Sequence, residues 1–161
     1  MKRAFSFGDK SIDGAVKRVN EVRRIAVIGA GTMGQGIAID LLNKTDWEVV
    51  LLDVQAEALK RAEEKLTGLW QRQIKGAQLR EEDARALKAR TTYTKDYADL
   101  AGADVIWEVA TERGDIKAKI FETIEKTIDP QQIAAIFSNT SSHTTGELAV
   151  LFKTEAFREK L

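Results

Sequence analysis

The chain contains no cysteine, one proline, one histidine and no formal net charge. The lack of cysteine excludes disulfides, thiolate metal sites and a cysteine nucleophile, and it is compatible with a reducing cytosol, where we expect the protein to reside. One histidine without a clustered His/carboxylate pattern argues against zinc, so no metal is expected. Lys plus Arg and Asp plus Glu both number 25. No overall field therefore recruits nucleic acid or an anionic membrane, and neither is expected as a partner. No apolar run reaches the roughly eighteen residues of a membrane span. The opening Met1-Lys-Arg-Ala-Phe-Ser-Phe-Gly8 has basic residues but no apolar h-region, so no signal peptide is read.

What is present suits one globular domain: 161 residues, 43% hydrophobic and 31% charged. Its organising feature is Ile25-Ala-Val-Ile-Gly-Ala-Gly-Thr-Met-Gly34, in which a short apolar strand runs into glycines spaced G-x-G-x-x-G. Gly29 permits a tight turn, Gly31 lets a pyrophosphate approach the backbone, and Gly34 lets helix and strand pack closely. A helix expected from Gln35 points its unpaired N–H groups and positive dipole at the phosphates. Val49-Val-Leu-Leu-Asp53 reads as a second strand that ends in an acid. An acid there accepts hydrogen bonds from the adenosine ribose and repels a 2′-phosphate, which favours NAD over NADP. On its own, Asp53 also fits an ordinary turn aspartate.

Ser11 is a candidate N-cap for a helix with Ile12, Val16, Val19 and Val22 inward, and residues 1–23 read as a partly helical extension before a domain at 24–161. After the glycine loop, Ile37, Ala38, Leu41 and Leu42 form an inward stripe. A long helix over residues 56–74, with a seam of Leu59, Ala62, Leu66, Leu69 and Gln73, is broken by Gly76. A shorter helix with early acids follows over 80–89, making a helical hairpin. Thr91 to Thr94 is β-like, and a helical turn is expected over 96–101. Residues 104–109 and 133–137 read as buried strands. Between them lies a helix with Ile116, Ile120, Phe121, Ile124 and Ile128 on one face, ended by Asp129-Pro130. A last helix is expected over 147–152. The alternation predicts an α/β, Rossmann-like doubly wound sheet, mainly parallel, with a helical hairpin inserted after the second strand.

Four pieces in order, Gly29-Ala-Gly-Thr-Met-Gly34, Asp53, Glu108-x-x-x-Glu112 and Ser138-Asn-Thr-Ser-Ser142, give residues 23–155 a resemblance to the NAD-binding domain of the L-3-hydroxyacyl-CoA dehydrogenases of fatty-acid β-oxidation. The resemblance implies NAD as cofactor and a 3-hydroxyacyl-CoA or 3-ketoacyl-CoA substrate. It implies that Gly29, Gly31, Thr32, Met33 and Gly34 hold the pyrophosphate end and Asp53 the adenosine ribose. Glu112 is implied to position the nicotinamide side, Lys117 to lie along the cofactor, and Asn139 to lie near the reacting carbons. Ser141 is implied to hydrogen-bond the substrate's 3-oxygen. Lys65 and Arg72, seven residues apart in the hairpin, would share a helix face near the CoA phosphates.

Taken only as residues, several of these keep plainer readings. Glu112 suits a helix N-terminus, Asn139 and Ser141 suit turns and caps, and Lys117, Lys65 and Arg72 suit solvated surface. Trp107, the Val109-Ala-Thr111 segment, His143 and Thr144 depart from the family pattern, and His143 reads as an exposed loop residue. The family's catalytic histidine belongs to a later His-Phe-Phe-Asn-Pro motif that these residues do not include. The expectation is therefore a cofactor-binding portion that binds NADH, does not reduce acetoacetyl-CoA alone, and self-associates through apolar surface; a homodimer is implied for the longer protein. Two other readings stay open: a related dehydrogenase of a non-CoA hydroxy acid, and a non-catalytic NAD-binding module.

Overall fold

A computed structural model describes residues 21–161. The helix expected from Ser11 lies outside the described residues, apart from its last apolar position, Val22, which is buried. Five strands form one parallel sheet in the order β3-β2-β1-β4-β5: β1 (Arg24–Ile28), β2 (Glu48–Leu52), β3 (Thr91–Thr94), β4 (Val105–Glu108) and β5 (Ala135–Ser138). Helices α1 (Thr32–Lys44), α2 (Ala56–Lys75), α3 (Glu81–Ala89), α4 (Gly114–Thr127), α5 (Thr145–Ala149) and α6 (Glu155–Arg158) connect and cover them, with a 3₁₀ turn at Tyr97–Leu100.

Strand side chains alternate between two cores, which explains why β1, β2 and β4 read apolar throughout. Ile25, Val27, Val49, Leu51 and Val105 meet Ala38 and Leu42 of α1 and the seam of the α2–α3 hairpin. Ala26, Ile28, Val50, Leu52, Ile106 and Ile136 meet Ile120, Phe121 and Ile124 of α4 on the opposite face. There Phe121, Phe152 and Phe157 stack in series, with centroid separations of 4.5 and 5.6 Å. Arg90, between α3 and β3, donates to the carbonyls of Leu42, Thr45 and Trp47, satisfying acceptors at the end of α1.

Several expectations need correction. The first helix starts at Thr32 rather than Gln35, so Gly34 lies inside it. The hairpin seam runs through Ala58, Leu59, Ala62, Leu66 and Trp70, while Leu69 and Gln73 are only half-buried; at 3.6 residues per turn, Trp70 extends the Leu59–Ala62–Leu66 row and Leu69 drifts off it. Ile133 is buried in the loop ahead of β5, and Phe137 is 51% exposed on β5, an edge of the sheet among the described residues. The last predicted helix begins earlier, at Thr145, because Thr144 and Glu147 form a capping box.

Candidate functional site

The carboxyl ends of all five parallel strands point the same way, and the order of connection reverses between β1 and β4. That switch point is where an open α/β sheet binds its ligand. Gly29 leaves β1 with φ +114°, a conformation that disfavours any side chain, and a Cβ there would stand 2.9 Å from the Val109 carbonyl oxygen. A Cβ at Gly34 would fall 1.8 Å from the Gly29 carbonyl oxygen, so only glycine lets α1 press onto the loop. Gly31 differs: its Cβ would meet no protein atom within 4 Å. The space in front of it is open, as a backbone approached by a phosphate requires. The sequence reading missed Gln35, which is buried on α1 and donates to the Ala30 carbonyl at 2.8 Å, latching the loop. Its polar side chain on the inward stripe was the available signal. Thr32 and Met33 sit exposed on the first turn of α1, whose leading N–H groups lack helical acceptors.

Asp53 follows β2 directly. Its Oδ2 accepts the Ala30 N–H at 2.8 Å and its Oδ1 the Gln55 N–H at 2.9 Å, which joins the acid to the glycine loop. Each oxygen retains a free lone pair. Asp53 and Gly31 line a cavity of about 570 Å³ that continues past Tyr97, Ala110, Ile116 and Lys119. This cavity can hold a nucleoside between an acidic rim and an apolar floor, so the residues present fit a dinucleotide.

On the other side of the switch point, Glu112 lies in the loop after β4. It accepts the Thr140 hydroxyl at 2.7 Å, the Ser141 N–H at 2.8 Å and the Ser141 hydroxyl at 3.3 Å. Those bonds, Thr140 foremost, hold its carboxyl below the usual range. Glu112 and Ser141, 29 residues apart, are thus in direct contact. Asn139 is exposed at the end of β5, with its N–H on the Glu108 carbonyl. His143 is not the exposed loop residue expected. It is about one-quarter exposed, with Nδ1 3.4 Å from Thr140 Oγ1 and 3.9 Å from Glu112 Oε2.

Lys117 is fully buried, which overturns its reading as solvated surface. Its Nζ bonds to Glu108 Oε2 at 2.7 Å, and the Ser138 hydroxyl donates to the same oxygen at 2.5 Å. The second Glu108 oxygen accepts the Ala110 N–H. Direct contact of Lys117 with a cofactor would require its release from Glu108. Lys65 and Arg72 are exposed on α2. Neither lines the cavity of about 650 Å³ between α2 and α3, whose cations are Lys75, Arg85 and Lys88. Among the described residues no group of His, Cys, Asp and Glu could hold a metal ion, and no helix is long and apolar enough to cross a membrane.

Residues 24–157 match the family model described as 3-hydroxyacyl-CoA dehydrogenase, NAD binding domain. A 3-hydroxybutyryl-CoA dehydrogenase of Bradyrhizobium diazoefficiens is 34% identical over 128 residues, covering 80% of this chain and 43% of that protein. A 3-hydroxyadipyl-CoA dehydrogenase of Escherichia coli is 33% identical over 132 residues, covering 82% of this chain and 27% of that protein. The crystal structure of an Escherichia coli 3-hydroxybutyryl-CoA dehydrogenase superposes with a TM-score of 0.75 at 31% identity, covering 85% of this chain and 28% of that one. The chain thus spans less than half the length of these relatives. Glycine loop, Asp53 and the Ser138–Ser142 block stand at one switch point, and with the family match the chain belongs to the 3-hydroxyacyl-CoA dehydrogenase family as its NAD-binding domain, for which NAD is the cofactor.

Proposed function

We propose that the chain supplies the cofactor half of an enzyme that moves a hydride between the 3-hydroxyl carbon of an acyl-CoA and NAD, with residues 24–161 as the domain and 1–23 as an extension to it. The observation that carries this reading is the Glu112–Ser141 contact, which ties the two loops over the β4 and β5 ends. Bound NAD would supply the hydride acceptor. The chain's own residues bind and orient. Gly29, Gly31, Gly34 and the first turn of α1, including Thr32 and Met33, would cradle the pyrophosphate, and Asp53 would hold the adenosine ribose. The nicotinamide half then lies over β4 and β5, because each mononucleotide takes one half of the sheet. There Glu112 orders the Thr140–Ser141 turn, Asn139 faces the open side, and the exposed Ser141 hydroxyl would turn to the substrate's 3-oxygen.

The cationic cavity between α2 and α3, with Lys75 and Arg85, supports a nearby CoA phosphate better than Lys65 and Arg72 do. The rings of Trp107 and Phe137, tilted with centroids 5.7 Å apart, stay partly exposed on the face carrying α1. They support self-association of this chain and a dimer of the longer protein. A cytoplasmic location suits the cysteine-free composition. The test is a fluorescence titration of the purified chain with NADH and NADPH, followed by an assay with acetoacetyl-CoA. NADH binding in preference to NADPH, without turnover, is the expected result. Failure to bind NADH would overturn the reading.

A further inference from the structure

His143 is the chain's one histidine, and the fold sets it at the nicotinamide end of the proposed cofactor path. The hydrogen bonds around it suit one tautomer. The Thr140 hydroxyl gives its single proton to Glu112 at 2.7 Å and accepts the Ser142 N–H at 3.3 Å. Toward His143, 3.4 Å away, it is left to accept, an arrangement that suits a hydrogen on Nδ1. The neutral imidazole then has its bare nitrogen at Nε2, which faces the start of α4, 3.7 Å from where a Gly114 Cβ would stand. Uptake of a proton at Nε2 leaves the Nδ1–Thr140–Glu112 chain in place. It adds a full positive charge beside a carboxylate that already bridges the two site loops.

The ring is held in this position. Thr144, the next residue, caps α5: its N–H donates to Glu147 Oε2 at 2.7 Å, and its hydroxyl oxygen accepts the Glu147 N–H at 3.2 Å. Glu112 from the β4–α4 loop and Glu147 from α5 bring negative charge toward His143, and the Arg113–Asp115 ion pair flanks Gly114 at the start of α4. Lys117 acts on Glu112 from the interior but is paired with Glu108. Leu161 shares with His143 and Thr140 the lining of a small cavity of about 260 Å³. Glu112, held acidic by Thr140 and Ser141, stays ionised through mildly acidic pH.

We infer that His143 is a positioning residue whose charge, acting beside Glu112, sets the preference of this site between oxidised and reduced nicotinamide cofactor. The inference rests on the dehydrogenase reading given above. The oxidised nicotinamide ring carries a positive charge and the reduced ring none. With His143 neutral, the pair presents the net negative charge of Glu112 and favours the oxidised ring. With His143 protonated, the pair sums to zero and that advantage is lost.

The test measures dissociation constants of the chain for NAD⁺ and NADH, by calorimetry and by NADH fluorescence, at about pH 5.5 and about pH 8, the span over which histidine side chains change charge. The ratio Kd(NAD⁺)/Kd(NADH) is expected to be about fivefold larger at the lower pH, the order produced by one charge acting over several ångströms in a partly exposed site. In His143→Gln, which keeps an N–H for Thr140 but cannot titrate, the ratio should not change with pH. His143→Leu should also be flat. A flat ratio in the unaltered chain, or persistence of its pH dependence in His143→Gln, overturns the inference while leaving the dehydrogenase reading intact. Binding of neither nucleotide overturns both.

Discussion

Lys117 Nζ and Glu108 Oε2 lie 2.7 Å apart with both side chains fully buried, at the point where β4, α4 and β5 converge. Ser138 and the Ala110 N–H satisfy the same carboxylate. This pair braces the loops that present Glu112 and Ser141, although neither partner faces solvent.

Breaking the pair should cost far more than its net worth, because the remaining charge is left buried and uncompensated. Lys117→Met or Glu108→Leu alone is expected to lower stability by about 3–5 kcal/mol in urea denaturation. The double variant should recover much of that loss. A double variant no more stable than either single one would show that the two charges are not coupled.

Two of the loop glycines should separate fold from binding. Gly34→Ala places a methyl 1.8 Å from the Gly29 carbonyl oxygen and should destabilise the chain by about 3 kcal/mol or more, read as a fall in Tm. Gly31→Ala meets nothing in the protein, so stability should hold within about 0.5 kcal/mol. Its methyl enters the space that the proposed function gives to the pyrophosphate, so NADH affinity should drop by at least about tenfold, or ~1.4 kcal/mol. Unchanged NADH binding by Gly31→Ala would place the phosphates elsewhere.

Asp53→Asn removes a charge while keeping the shape that accepts from Ala30 or Gln55. Loss of charged hydrogen bonds of about 1.5–3 kcal/mol should weaken NADH by one to two orders of magnitude. Discrimination against NADPH should fall with it, because Lys119 lines the same cavity and no carboxylate then repels the 2′-phosphate. Competition titrations with both nucleotides read the change.

Glu122 on α4 accepts from Lys153 Nζ at 2.6 Å and lies 3.1 Å from Lys126 Nζ. Hydrogen bonds from Lys153, then Lys126, bring its pKa down from 4.5 to about 2. A folded-state pKa below the unfolded one means stability that is present above about pH 4.5 and is lost as pH falls toward 2. Glu122→Gln should therefore lower Tm slightly at neutral pH, a small effect because the pair is exposed, and converge with the unaltered chain by about pH 2.5, so that part of the acid decline is flattened. An identical acid profile in the variant would dismiss this contribution.

Much of the fold was legible because its signals are local. Apolar runs of strand length, a glycine triplet with an acid 19 residues beyond it, and helical stripes such as Ile120–Phe121–Ile124 follow from the periods of helix and strand. The glycine loop and Asp53 were likewise legible, since a turn and a strand end are defined by neighbouring residues. Less legible was anything depending on an element distant in the chain. The inward turn of Lys117 needs Glu108 and Ser138 from two different strands. Phe137 reads as core but is exposed on β5, an edge of the sheet among the described residues, and an edge is a property of the sheet's order.

The sequence by itself determined a parallel α/β dinucleotide fold and the family that owns it, since hydrophobic period, glycine spacing and the serine block are carried along a continuous chain. Only the tertiary structure decided which polar groups meet. It joined Glu112 to Ser141 across 29 residues, buried Lys117 on Glu108, and moved His143 from an ordinary loop position to the side of the site carboxylate. The physical reason is that electrostatic and hydrogen-bond contacts between loops arise only once sheet register brings the ends of β4 and β5 side by side.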